Sequence, residues 1–475
     1  MTRNRRPRPS PDDRELRLWN VGLVLGLVFL AALAVAAAVF YTGWGLLDVH
    51  GLKPERRIDS KTLFDLVKLS FGVVAGAGAL VALVVAYRRQ RVDEAGAHRE
   101  ATRLHTERFS QAVDKLGSDS PAVRLGGVHA LAGLADDAPD NSLRQTCIDV
   151  LCAYLRLPFS PDPGDLPDPL PNGTSPSQEQ RDAHQDKKDR YHAFREVRHT
   201  ILRLIGDHYR IPKGTHRSWQ GCNLDLTRVT IDGSVDFSGA TFSDGSVHFD
   251  DATFSDGSVD FSGATFSGGI VYFNGATFSD GIVNFNNATF SDGSLNFSGA
   301  TFAGGSVHFN GATFARGSVH FSGATFSGGS MYFGGAKFSG GSVRFNSATF
   351  SDGSVHFERA TFSGGSMYFG GATFSGSIVH FGDATFAGGS VHFNGATFAR
   401  GIVSFSGATF ARGSVHFGDA TFAGGSVHFN GATFAGGTLR FEATTGPVPE
   451  GLLSAVGTPV PSEVGLRADW LPSGP

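Results

Sequence analysis

Cysteine is nearly missing from this chain: its 475 residues include three, Cys147, Cys152 and Cys222. They are too few and too scattered for a disulfide framework and lack zinc-ligand spacing, so they read as buried or idle thiols suited to a reducing compartment. An excess of either charge is also missing. The formal charge of −4 gives no global pull towards nucleic acid or acidic membranes. No phosphate loop, nucleophile elbow or metalloprotease motif occurs, and the Gly-rich runs belong to a repeat. The expectation is a non-enzymatic protein with no catalytic residue, cofactor or metal ligand. From Val235 to Phe441 the chain also lacks 3.6-residue apolar spacing, which excludes helix, and glycine at every third position, which excludes collagen.

What is abundant is phenylalanine, 42 residues in all. Most of it lies in that same stretch, where one phrase recurs about seventeen times: V-x-F, two small or polar residues, A-T-F, then four residues rich in Ser, Asp, Ala, Arg and Gly. Val235 to Ser246 is the first copy, and the period stays at twelve without insertion or deletion. Such density of Phe argues against disorder. A fixed period marks a solenoid, because each unit buries its apolar face only against its neighbours. Val and Phe two apart point the same way in an extended segment, as do Ala and Phe of A-T-F. The expected core is therefore the Phe columns, represented by Phe237, Phe242, Phe249, Phe254, Phe309, Phe314, Phe429 and Phe434. The middle residue of each triplet points outward.

Ala240-Thr241-Phe242-Ser243-Asp244 and Val247-His248-Phe249-Asp250-Asp251 resemble the pentapeptide-repeat family, whose unit is a small residue, a polar one, Leu or Phe, then two variable positions. Each twelve-residue unit is similar to two pentapeptides plus a two-residue extension such as Gly245-Ser246. The resemblance implies a right-handed, roughly square parallel β-helix of four pentapeptides per coil, hence twenty-four residues per coil here. A twelve-residue coil would have to bury two Phe per layer in a very thin section. Eight or nine coils at about 4.8 Å each give a rod on the order of 40 Å long. The two extra residues per unit depart from the family pattern and put a plain square section in question.

The expected class is thus mainly β, preceded by two membrane spans and a small helical region. Residues 1–17 are a basic tail. Residues 18–43 form the first span around the uncharged run Val21–Phe40, with a cleaved signal peptide as the competing reading. Residues 44–62 form a short external loop, and 63–87 the second span. The lengths suffice to cross a bilayer, and Trp19, Tyr41 and Trp44 lie where interfacial aromatics belong. Basic residues in the flanks place both termini, and the solenoid with them, in the cytoplasm of a multi-pass cell-membrane protein. Gly22/Gly26 and Gly72/Gly76 make small-xxx-small faces that admit self-association.

Residues 88–157 read as a helical stalk and a helical pair. Ser120-Pro121 starts one helix of that pair and Asp140-Asn141 the other. Ala122 to Leu131 resembles a HEAT or armadillo helix and is similar to a segment of bacterial membrane proteins carrying pentapeptide repeats. Residues 158–189 read as a Pro-rich, charged linker. Residues 190–212 read as an amphipathic basic helix docked on the first coil with a solvated Arg face. The solenoid occupies 213–441, with Trp219 over its start. Residues 442–475 form a cap and tail, with Leu452-Leu453 and Trp470-Leu471 covering the last coil.

With twenty-four residues per coil, one outward column runs Asp236, Asp260, Asn284, His308, Tyr332, His356, His380, Ser404, His428. The opposite one runs His248, Tyr272, Asn296, His320, Arg344, Tyr368, His392, His416, Arg440. The candidate interaction surface is His308, Tyr332, His356 and His380 on one side, with His320, Arg344, Tyr368 and His392 on the other. Protonation below about pH 6.5 charges these ladders and makes the rod repel itself. The first functional reading is a membrane-tethered scaffold that presents the rod to an unidentified protein partner. The second is a DNA-mimicking topoisomerase inhibitor, which the family resemblance brings in. Acid does cluster at one end, with nine Asp from Asp232 to Asp292, but the His and Arg columns work against mimicry. The third is a surface-displayed structural or adhesive rod, which requires the inverted topology.

Overall fold

A computed structural model describes residues 59–470, apart from positions 161, 169, 170, 172–174, 256, 442, 449 and 450, together with eight separate positions between 26 and 42. The basic tail, the first span except for those positions and nearly all of the connecting loop lie outside the described residues. The chain divides into two compact units, Met1–Arg103 and Leu104–Pro475.

Helix α1, Ser60–Leu116, is 57 residues long. It joins the stretch expected as the second span and the polar stretch after it into one element. Helix-forming side chains continue past Arg88 and pair along the surface, Gln90 with Glu94 at 3.1 Å and Arg103 with Glu100 at 2.8 Å. Its apolar part is long enough to cross a membrane and none of it is buried against protein. Leu69, Phe71, Val74 and Leu83 are all exposed. Among the described residues it is the one helix with that length and composition.

The second unit begins with a helical head. Helix α2, Pro121–Asp136, starts with Pro in its first turn after Ser120, and α3, Asn141–Arg156, is capped by Asp140 accepting from Leu143 N at 2.8 Å. A Cβ at Gly127 would stand 2.7 Å from Leu116 N, so the glycine lets α2 lie against the end of α1. Helix α4, Gln178–Arg210, is longer than the sequence pattern implies. The charged run assigned to the linker at 158–189 is helical from Gln178 onward. A reciprocal capping box between Ser177 and Gln180 and the pairs Gln178–Asp182 and Gln185–Asp189 stabilise a turn-by-turn polar helix that has no apolar periodicity to announce it.

From Leu224 the chain winds into four parallel sheets of eleven, nine, nine and nine strands. Every strand of the repeat array pairs with the strand one coil on, in the register i to i+24: Val247 with Val271, Phe254 with Phe278, Val259 with Val283, Phe266 with Phe290. The coil is therefore twenty-four residues. Two opposed faces carry V-x strands and two carry T-F strands. A tight turn joins V-x to T-F, closed by bonds such as Ala240 N to Phe237 O at 3.1 Å, with positive φ at its third residue, as at Gly239 and Asp251. The two-residue extensions sit at the other two corners, diagonally opposite. They lengthen those corners without breaking any sheet. Inside, four Phe columns stack along the axis, with centroid separations such as 4.8 Å for Phe285–Phe309 and 4.7 Å for Phe290–Phe314. That equals the strand spacing, so ring stacking and backbone ladder share one period. Each buried Phe contributes about 2 kcal/mol from area alone.

Both ends are closed. Helix α4 crosses the first coil with its backbone close: a Cβ at Gly206 would stand 2.6 Å from Asp236 O. Tyr209 lies 5.1 Å from Phe242, centroid to centroid. Arg190 and Arg203 of this helix are exposed, but Arg198 and Arg210 turn onto the coil. Arg198 is buried and donates to Thr230 O at 2.7 Å, and Arg210 donates to Ser238 O at 2.7 Å, because the first coil offers carbonyls with no further coil to bond them. At the other end the strand Val464–Gly465 pairs with Leu439–Arg440. Leu452 of the short helix α5, Leu452–Val456, is buried, and Trp470 packs edge-on to Phe441 at 5.3 Å.

Candidate functional site

The alternation of strand residues decides what the rod displays. On the V-x faces Val points in and its neighbour stands half-exposed, so each coil contributes one display position per face. Strand pairing puts His308, Tyr332, His356 and His380 in one column, followed by Ser404 and His428. His320, Arg344, Tyr368 and His392 form the opposed column, followed by His416 and Arg440. Of the eight representative core residues, Phe237, Phe242, Phe249, Phe254, Phe309, Phe314 and Phe429 are buried, while Phe434, the last of its column, is half-buried.

Most neighbouring display rings lie flat on one another, while His308 meets Tyr332 edge-on at 4.9 Å. Tyr332 is 4.9 Å from His356 and His356 is 5.1 Å from His380; on the other side Tyr368 is 5.0 Å from His392, and His392 is 4.9 Å from His416. Arg344 lies 5.9 Å from the Tyr368 ring. Burial between neighbours pushes the imidazole pKa of His308, His320, His380 and His392 below its ordinary value. For His320 the Arg344 charge adds to burial, for His380 the neighbouring His356, and for His392 the neighbouring His416. Where the rings are parallel, their in-plane nitrogen lone pairs do not converge on a shared point. The ladders are thus stiff, largely aromatic strips.

The T-F faces display a Thr at each coil, interrupted by Lys337 opposite Thr313 and Thr361. The acidic end of the rod is largely engaged. Arg195 lies 3.8 Å from Asp232, Arg210 bonds Asp236 at 2.9 Å, Lys213 pairs with Asp244, and Arg316 bonds Asp292 at 2.7 Å. These pairings remove much of the free acid that duplex mimicry would need.

One constellation carried no sequence signal. Asp136, at the end of α2, is buried and accepts from Arg217 Nε at 2.9 Å and Trp219 Nε1 at 3.0 Å, with His208 Nε2 at 3.1 Å. His208 stacks on Trp219 at 4.1 Å. Burial alone raises the Asp136 pKa, but the hydrogen bonds from His208, Arg217 and Trp219 outweigh it and hold the carboxyl below its usual value. The residues are about seventy to eighty positions apart, which no local pattern can reveal. They tie the helical head to the start of the rod. The thiols Cys147 and Cys152 are buried, and burial pushes them up to about 11 and about 12, so both stay protonated and inert.

A family model described as "Pentapeptide repeats (9 copies)" matches residues 256–296. That match and the four-sided solenoid together support a pentapeptide-repeat protein. No match was found among curated proteins or among solved structures.

Proposed function

We propose that the protein is a non-enzymatic scaffold, tethered to a bacterial cell membrane by two N-terminal spans, whose cytoplasmic solenoid offers its two ladders to a protein partner. A pentapeptide-type solenoid fits a scaffold or interaction role, and solenoids of this kind are generally non-catalytic. The single observation that carries the reading is the pair of in-register display columns. Rigid aromatic side chains at fixed spacing give contact area at low entropic cost, the property found at protein-binding surfaces. The exposed apolar stretch of α1 supports the tether.

Two measurements test it. Protease added to intact spheroplasts should leave the rod protected until the membrane is broken; release of the rod from intact cells would overturn both the topology and the cytoplasmic partner. Photocrosslinkers placed at His356 or His392 of the full chain should capture the same protein in living cells, and the adduct should vanish when Tyr332 or Tyr368 is changed to Ala. Adducts that are indistinguishable from those of a crosslinker at Thr289 would show that the ladders recognise nothing.

A further inference from the structure

Away from the ladders, a cavity of about 540 Å³ opens between the start of α2, the turn after α3 and the middle of α4. Four basic side chains line it, Arg124, Lys187, Arg190 and Arg198, and no carboxylate does. Aromatic rings stand between them. The Arg124 guanidinium lies 4.5 Å from the Phe194 centroid and donates to Tyr154 Oη at 3.0 Å. The Arg198 guanidinium lies 4.7 Å from the Phe159 centroid. Phe159 and Tyr191 lie 5.5 Å apart on the same wall.

Two of the nearby acids are engaged elsewhere. Asp165 pairs with Lys188 at 3.0 Å, and Asp232 is held by the Tyr191 hydroxyl and Arg195. Arg198 is buried, and its only hydrogen-bond acceptor among the described residues is Thr230 O. A buried guanidinium that meets rings and a carbonyl but no counter-charge is costly, and an entering anion offsets that cost. Stacking of Arg124 and Arg198 on rings accounts for how α2 and the α3 turn adhere to α4. It does not account for Lys187 and Arg190, which are exposed on one face of α4 at a spacing of three, or for the open volume beside them.

We propose that this cavity binds a small phosphorylated ligand bearing a planar ring, of mononucleotide size. The phosphate meets Lys187, Arg190 and the Arg198 edge, and the ring lies against Phe159 and Tyr191. Several cations without an acid suit a divalent anion better than a lone carboxylate. Aromatic walls suit a flat heterocycle, and the volume falls in the range of ordinary small-molecule sites.

The test is calorimetry on the full chain in detergent micelles, titrated with AMP, GMP, CMP and UMP, and separately with inorganic phosphate and with adenosine. The expected result is saturable binding of at least one nucleotide, roughly tenfold or more tighter than either fragment. The double variant Lys187→Gln/Arg190→Gln, both at exposed positions, should weaken it by at least about tenfold without shifting the melting temperature. Phe159→Ala should narrow the gap between nucleotide and phosphate. The proposal is overturned if no nucleotide saturates below about 1 mM, if phosphate alone binds as well, or if the double variant binds normally. None of these outcomes touches the rod's faces, so failure here is distinct from failure of the scaffold reading.

Discussion

A methyl group on Gly341 would stand 1.9 Å from the carbonyl oxygen of Gly317 one coil below. The same holds along both long corners, as at Gly329 over Gly305 at 2.0 Å. Backbones touch there, and no rotamer change relieves a Cβ. Gly341→Ala should cost about 2–3 kcal/mol by overpacking, read as a lower urea midpoint at unchanged m-value. Gly335→Ala is a useful contrast, because nothing lies within 4 Å of a Cβ there and only the positive φ of 65° opposes it. The exception in the column explains the rule. Ser377 is buried where its neighbours are Gly, and a Cβ at Gly401 one coil on would lie 3.2 Å from Ser377 O, against 2.1 Å for Gly281 from Gly257 O. The sequence shows which residues recur. It does not show that one corner needs Gly for close approach and another for positive φ, since both read as turn residues.

Among the elements, those with strong periodicity were legible and those built from polar pairing were not. Val and Phe two apart determine strand, inward face and column, and the two display columns follow from the twenty-four-residue coil alone. Helix α4 was legible only from Tyr191 onward, because its first turns carry no apolar stripe and rest on a capping box and side-chain pairs. The Asp136 cluster was invisible for a different reason, since it depends on where α2 and the rod's entrance meet. Its weight can be measured. Asp136→Asn leaves Arg217, His208 and Trp219 facing a neutral group with a donor of its own, and should destabilise the head by about 3 kcal/mol, seen as loss of near-ultraviolet dichroism at lower urea. The ladders make a separate prediction. His308, His320, His380 and His392 have folded pKa values below the unfolded 6.5. The unfolded chain therefore takes up protons first as pH falls. Their contribution is constant above pH 6.5, declines as pH drops below it, and is lost once the folded values are passed. His105 and His199 in the head are shifted the same way, chiefly by burial, and add to the slope. The urea midpoint should be lower at pH 5 than at pH 7.5, and replacing His380 and His392 with Gln should flatten the difference. A midpoint that rises towards pH 5 would contradict the assignment. Asp136, with its lowered value, contributes a constant amount above its ordinary 3.8 and loses it only below, so it does not confuse the window.

For the whole molecule, the decisive fact is that the sequence repeats every twelve residues while the coil closes after twenty-four. Removing residues 312–323 joins Gly311 to Ala324 and preserves every V-x-F and A-T-F triplet. Core, corners and both caps stay satisfied, because each coil contacts only its neighbours. Everything beyond the junction, however, turns half a coil about the axis. The column that began with Asp236, Asp260, Asn284 and His308 then continues with Arg344, Tyr368 and His392, and the two ladders exchange partners. Removing residues 312–335 instead joins Gly311 to Ala336 and shortens both ladders by one rung without exchanging them. Both variants should fold with melting temperatures close to the parent's. If a partner reads a ladder longer than the coils on either side of the junction, the twelve-residue deletion should abolish its crosslinks at His356 and His392, while the twenty-four-residue deletion should keep them. Equal loss would mean that rod length is what the partner measures. Equal retention would mean that recognition lies within a few coils on one side of the junction, and the reading of a partner that spans the whole ladder would fall.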